Sequence, residues 1–273
     1  MLDLRAVALQ WLVAARPAVV VEVASSRGSV PREAGTRMLV VADDVIGTFG
    51  GGHLELKAIA DARALLRNGG GATEQSIALG PSLGQCCGGA LTLVFTPLAQ
   101  AAPENWAAAA PRFTLQLYGA GHVGRAIVQL LAGIPCSVQW IDERDSEFPD
   151  RPLPSHIQRV CVEPVQAEVA AAPPGAFYLV LTHSHDLDMA ITQAILARAD
   201  FGFFGLIGSK TKRARFEHRL QARGVSDAVL ARMTCPIGAP GITGKEPELI
   251  AVAVVAQLLQ QAEAVYSRIG LST

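Results

Sequence analysis

Charge is scarce in this 273-residue sequence: Asp, Glu, Lys and Arg make up 17% of it, against about 25% in an ordinary soluble protein. The two signs nearly cancel, 23 basic against 24 acidic residues. That balance removes the electrostatic footprint of a general nucleic-acid or anionic-membrane binder. Aromatic residues are sparse at 5%. No run reaches about 18 consecutive apolar residues, so no membrane span is expected. The start, Met1-Leu2-Asp3-Leu4-Arg5, has no basic stretch ahead of an apolar core, and no export signal is expected. Cysteine numbers five, an odd count with no CxxC pair. A disulfide framework and a structural zinc site are thereby disfavoured. Cys136, Cys161 and Cys235 read as reduced core thiols, and the expected compartment is the cytoplasm.

Apolar mass is abundant, at 50% of residues. Such a chain has enough to bury and is not disordered. Its length corresponds to about two domains of roughly 150 residues. The low charge implies surface covered by a subunit or partner. A proline- and alanine-rich stretch at 99–112 reads as a linker. It separates a smaller α+β domain at 1–98 from a second domain at 113–273.

In the first domain, Asp3 is placed to cap a helix. Short strands are expected at 19–24, 36–42, 45–49, 75–79 and 90–95, with a helix over 53–67. In the second, strands at 113–118, 137–141, 157–162, 177–181 and 201–207 alternate with helices at 122–132, 187–199 and 209–222. This rhythm predicts an α/β fold, a Rossmann-like parallel sheet with helices on both faces. A last helix over 245–266 is apolar nearly all round, so it must be buried in the domain or in a dimer interface. Thr243 and Glu246 have capping-box spacing at its start, although Pro247 could move that start by a residue.

Five groups of residues carry candidate chemistry. Gly119-Ala120-Gly121-His122-Val123-Gly124 follows a strand and opens a helix, and Asp142 ends the next strand. Gly119 permits the tight turn, Gly121 lets backbone approach a phosphate, and Gly124 lets helix and strand pack closely. Asp142 is placed to accept a hydrogen bond from a ligand hydroxyl or amine, and would oppose a ribose 2′-phosphate. The loop fits a phosphate at a helix N-terminus, or a Rossmann fold that no longer binds a nucleotide. Gly50-Gly51-Gly52-His53-Leu54-Glu55 is a second glycine–helix junction, readable as a plain turn or as an anion nest flanked by His53 and Glu55. Gly84-Gln85-Cys86-Cys87-Gly88-Gly89 offers vicinal thiols, suited to a soft metal, sulfur transfer or thiol redox chemistry, or to simple packing under a turn. Thr182-His183-Ser184-His185-Asp186-Leu187-Asp188 lies at a strand's carboxyl edge, where ligands bind; a His-x-His-x-Asp metal site would need an acid at 187, but leucine stands there and Asp188 falls one place late. His183 and His185 are candidate ligand contacts or acid–base groups, and Ser184 or Asp186 a helix cap. Lys210, Lys212, Arg213 and Arg215 are either a solvated helix face or the source of one cation for a phosphate.

Taken together, these motifs resemble the xanthine dehydrogenase accessory protein family, XdhC and the related CoxI. The resemblance spans nearly the whole chain. It adds Gly28-Ser29-Val30-Pro31-Arg32, Gly205-Leu206-Ile207-Gly208-Ser209 and Cys235-Pro236-Ile237-Gly238 to the groups above. His53 after the triple glycine is similar to the XdhC branch. What the resemblance implies is a non-enzymatic chaperone for the molybdenum cofactor. Such a protein binds the pyranopterin, protects it while a cysteine desulfurase installs the sulfido ligand, and delivers it to the molybdenum subunit of apo-xanthine dehydrogenase. Cys86 or Cys87 would then lie near the metal, Gln85, Asp142 or a histidine would meet polar pterin edges, and the cleft between domains would hold the cargo. A homodimer is expected. Two other readings remain open: an NAD(P)-dependent oxidoreductase using the second domain alone, and a dithiol redox protein.

Overall fold

A computed structural model describes residues 3–79, 88–107 and 110–268. The chain divides into two compact units, Leu2–Ala109 and Ala110–Thr273.

The first unit is an antiparallel five-stranded sheet between two helices. Its elements are α1 (Leu4–Val13), β1 (Val19–Arg27), β2 (Arg37–Val40), β3 (Val45–Ile46), α2 (Gly52–Asn68), β4 (Thr73–Ala78) and β5 (Ala90–Pro97), with spatial order β3-β2-β1-β5-β4. Alternation along β1 assigns the faces. Val19, Val21 and Val23 pack with Leu54, Ala58 and Ala62 of α2. Val20 points the other way, joining Leu39 and Val41 against Ala8 and Trp11 of α1. Asp3 caps α1, its carboxylate accepting from the amides of Arg5 and Ala6 at 3.0 and 3.3 Å.

The stretch expected as a linker folds partly onto this unit. Two short 3-10 turns, Leu98–Gln100 and Pro103–Asn105, bury Leu98 and Pro103. Trp106 donates its indole N–H to Ala101 and lies under the Arg37 guanidinium, 4.8 Å from the ring centre. Prolines and alanines marked the stretch as a connection, but Leu98 and Trp106 are apolar anchors that a free tether lacks.

The second unit contains β6 (Thr114–Tyr118), α3 (His122–Leu131), β7 (Ser137–Asp142), β8 (Ile157–Cys161), β9 (Phe177–Val180), α4 (His185–Arg198), β10 (Phe203–Leu206), α5 (Lys210–Gln221), α6 (Asp227–Leu230), β11 (Met233–Thr234) and α7 (Pro247–Arg268). All six strands are parallel, in the order β11-β10-β9-β6-β7-β8. Chain direction across the sheet reverses between β6 and β9, which makes their carboxyl ends the topological switch point where open α/β sheets hold ligands. Leu115 and Leu117 of β6 face α3 and α7, while Tyr118 faces α4 and α5. Gln116, between them, is fully buried but satisfied. It donates to Gln139 and to the Glu168 carbonyl and accepts from the Tyr118 hydroxyl. The β7–β8 connection holds only a short 3-10 turn, Asp145–Glu147, where a complete βαβ unit would have a helix.

Pro247 is the first residue of α7. The Glu246 carbonyl accepts from the Ile250 amide at 3.0 Å, and the Glu246 carboxylate from Lys245 rather than Thr243. Proline at this position loses no hydrogen bond, and that replaces the expected Thr243 capping box. The unit itself covers much of the apolar circumference of α7. Ala251, Val254, Val255, Leu258 and Ala262 join the α3 core, and the Ala239 amide donates to the Ala253 carbonyl on another side. Leu249, Val252 and Val265 stay exposed. Length and composition alone would allow α7 to cross a membrane, but a core helix meets the same description. Of the three thiols read as buried, Cys136 and Cys235 are; Cys161, last in β8, is exposed because that edge strand has no neighbour beyond it.

Leu258 is completely buried and Val252 is not. Leu258→Ala should cost about 2–5 kcal/mol in urea unfolding, while Val252→Ala should stay within about 0.5 kcal/mol. Equal effects would contradict this placement of α7.

Candidate functional site

The switch point is shaped by where a Cβ cannot go. A methyl group on Gly119 would stand 2.3 Å from the Leu181 carbonyl oxygen, and one on Gly124 would stand 2.1 Å from the Gly119 carbonyl oxygen. Those two glycines are consumed by packing β6 against β9 and α3 against β6. A methyl group on Gly121 would meet nothing within 4 Å. Gly121 is also the N-cap of α3 and offers no side-chain cap. The first-turn amides of α3 thus have no side-chain cap, an arrangement suited to a phosphate. His122, the first helical residue, is exposed.

Asp142 stands beside this loop but turns inward. It is 4% exposed. One carboxylate oxygen accepts from the Ala120 amide at 2.7 Å and the Arg144 guanidinium at 3.0 Å; the other accepts from the Arg144 amide and Nε, both at 3.0 Å. Burial by itself would raise its pKa. The Arg144 side chain, the two amides and the Arg144 charge outweigh that and hold the carboxyl below its ordinary range. About four acceptor positions exist on a carboxylate, and all are occupied. Sequence spacing placed the acid correctly, but it did not show that Arg144, two residues on, would fold back over it.

At the end of β9, His183 and His185 are both exposed, and His185 begins α4. The His183 ring reaches Glu143 at 3.7 Å, so the loops after β9 and β7 meet across the end of β6. Ser184 is the cap, accepting from the Leu187 amide. The buried acid is Asp188, one place late for a His-x-His-x-Asp metal motif and engaged within the fold instead. It accepts from the Thr182 amide and hydroxyl at 3.0 and 2.7 Å and from the Lys212 ammonium at 2.5 Å. Lys212 also donates to the Ile207 carbonyl. Thus Lys212 is no free cation for a phosphate; it joins α5 to α4. Lys210 and Arg215 are exposed, and Arg213 pairs with Glu217. Among the described residues no His, Cys, Asp and Glu group is arranged to hold a metal ion.

In the first unit, the triple glycine is also tied to an acid. Glu55 accepts from the Thr48 hydroxyl at 2.5 Å and from the amides of Phe49 and Gly51 at 2.8 and 3.2 Å. Burial would raise its pKa, but these bonds together lower it. The nest suggested by the sequence is therefore filled from within by Glu55, while His53 is exposed on the first turn of α2. Three separated motifs converge here. A methyl group on Gly50 would lie 3.4 Å from Pro31, and one on Gly89 would collide with the carbonyls of Arg27 and Ser29. Gln85, Cys86 and Cys87 lie outside the described residues, between Leu79 and Gly88. The Leu79 amide donates to the Gly89 carbonyl, so both ends of their segment are held beside the Gly28 turn.

A parallel, Rossmann-like sheet with an uncapped glycine loop, together with an antiparallel unit of converging glycine motifs, defines a two-unit α/β protein. Residues 115–258 match the family model described as the XdhC Rossmann domain, and residues 11–76 match that of the XdhC and CoxI family. The chain belongs to this family, a class of accessory proteins. It is 32% identical over 258 residues to the uncharacterized protein YqeB of Escherichia coli (strain K12). That match covers 89% of this chain and 43% of YqeB, so the chain spans less than half the length of this curated relative. A crystal structure described as a xanthine dehydrogenase from Bacillus halodurans superposes with a TM-score of 0.70 at 19% identity, covering 95% of this chain and 96% of that one. At that identity the likeness is one of fold.

Two outcomes follow from this geometry. Gly124→Ala should lower the melting temperature by many degrees, whereas Gly121→Ala should melt close to wild type; equal melting would contradict the open space at Gly121. The depressed pKa of Asp142 makes its stabilisation complete above an unfolded value of about 3.9, and that stabilisation is lost as pH falls further. Asp142→Asn should therefore lose less stability than wild type in melts between about pH 5 and pH 2. Parallel acid limbs would remove Asp142 from this role.

Proposed function

We propose that this chain binds the molybdenum cofactor as a chaperone, protects its pyranopterin during sulfuration and delivers it to apo-xanthine dehydrogenase. The cofactor is a cargo here, and the protein performs no turnover of its own. The observation that carries the reading is family membership on both units together with the open, uncapped glycine loop at Gly121. A pyranopterin carries a phosphate that such a loop accommodates.

In this reading the amides at the start of α3 take the phosphate, with His122 beside it. Gln85 and an exposed histidine, His183 or His185, meet the polar pterin edge. Cys86 or Cys87 lies near the molybdenum–sulfur centre. Gly50, Gly51, Gly52 and His53 present the first unit's surface, with Glu55 holding that loop in shape. Asp142 is a positioning residue rather than a contact. The partners are the molybdenum subunit of xanthine dehydrogenase and a cysteine desulfurase, with self-association through the exposed apolar strip of α7, all in the cytoplasm. The dehydrogenase alternative has the loop and the histidines in its favour, but its ribose acceptor is occupied.

Anaerobic mixing with the cofactor, followed by gel filtration, tests the reading. Pterin fluorescence and molybdenum should co-elute with wild type, and Gly121→Ala and Cys86→Ala should retain several-fold less. A wild-type protein that retains no pterin would overturn it.

A further inference from the structure

We infer that Arg144 locks the Rossmann site against dinucleotides, making it a specificity-determining residue for whatever anion the Gly121 loop holds. This inference concerns what the site refuses, and it does not depend on the molybdenum cofactor being the ligand.

In a dinucleotide-binding fold, the acid at the end of the second strand accepts hydrogen bonds from the adenosine ribose hydroxyls, while the glycine loop takes the pyrophosphate. Both parts of that device are present in this chain, at Asp142 and at Gly119-Ala120-Gly121. The loop is open and the acid is closed. Arg144 grips both Asp142 oxygens with Nε and a terminal nitrogen, each at 3.0 Å, and its own amide adds a third bond. A ribose diol entering here would have to displace a bidentate guanidinium from a carboxylate that is 3% exposed. Charge-assisted bidentate pairs are among the strongest hydrogen-bonded contacts in proteins, and a neutral diol is a weaker donor.

The same arrangement disfavours a 2′-phosphate. Positively charged Arg144 is engaged by Asp142 and also lies 3.4 Å from Glu147. Glu143 and Asp145 flank it in sequence, and Arg125 is paired with Glu147 at 2.6 Å. Around Arg144 there are thus three carboxylates, those of Asp142, Glu143 and Glu147, against the guanidiniums of Arg144 and Arg125. Removing Arg144 would leave a free Asp142 carboxylate beside an intact phosphate loop, because the Ala120 amide bond to Asp142 does not involve Arg144. The variant would then have the two elements that recognise NAD, with excess negative charge against NADP.

The experiment titrates NAD and NADP into the full-length chain, reading equilibrium dialysis and melting temperature. Wild type should show no saturable NAD binding at millimolar concentration. Arg144→Ala should gain it by about tenfold or more, the effect of one hydrogen bond to a charged group, and should prefer NAD over NADP. Adding Asp142→Asn should abolish the gain. Arg144→Gln, which keeps part of the aliphatic stem and a polar end without the charge or the bidentate grip, provides a second variant if the alanine protein folds poorly. Saturable NAD binding by wild type would overturn the lock whatever the variants do. So would folded Arg144 variants that gain nothing. Retention of pterin by wild type is a separate measurement, so failure of either proposal is distinguishable from failure of the other.

Discussion

The carboxylate of Asp142 is the interaction on which the second unit's ligand edge depends. Held at 4% exposure, it ties the loop after β6 to the loop after β7 through the Ala120 amide and Arg144. Without it, the loop amide would lose its acceptor and the Arg144 guanidinium its anchor, and buried polar groups left unpaired are costly. The close approach of Gly119 to Leu181 and of Gly124 to Gly119 then fixes the remaining side of the junction. Of the three glycines of this loop, Gly121 is the one whose Cβ position is clear of other atoms.

The first unit repeats this solution with different parts. Glu55 reaches back from α2 to the amides of Phe49 and Gly51, much as Asp142 reaches the Ala120 amide. In each case a carboxylate of the chain occupies backbone donors that an isolated glycine-rich turn would offer to an anion. The consequences differ, because Glu55 fills its own nest whereas Asp142 stands behind its loop and leaves the start of α3 open. Among the described residues, the helix start at Gly121 therefore keeps no carboxylate of the chain over it, while the Gly28, Gly50 and Gly89 turns close on one another and on Pro31.

Much of the fold was legible because its signals are local. Apolar alternation in β1 and β5, the Asp3 cap and the strand–glycine–helix order at Gly119 all arise within a few residues. The parallel sheet followed from the strand–helix rhythm. Less legible were features that depend on neighbours in space. Trp106 packs under Arg37 and turns the supposed linker into part of the first unit. Asp188 and Lys212, separated by 24 residues in sequence, form a buried pair that no spacing rule announces. Cys161 looked like a core thiol, but β8 is an edge strand.

Sequence by itself determined which residue types stand at which turn: three glycines and an acid at the Rossmann junction, a triple glycine before His53, and a proline to begin α7. Periodicity and backbone stereochemistry act over short distances, and one chain suffices to read them. Tertiary structure decided which of those groups remain available to a ligand. A carboxylate or ammonium is available only if nothing folded beside it satisfies it first. Arg144 on Asp142, Glu55 on its own loop and Lys212 on Asp188 are each settled by packing. The charge that the composition shows to be scarce is placed in part at such internal contacts, where it ties neighbouring loops to one another.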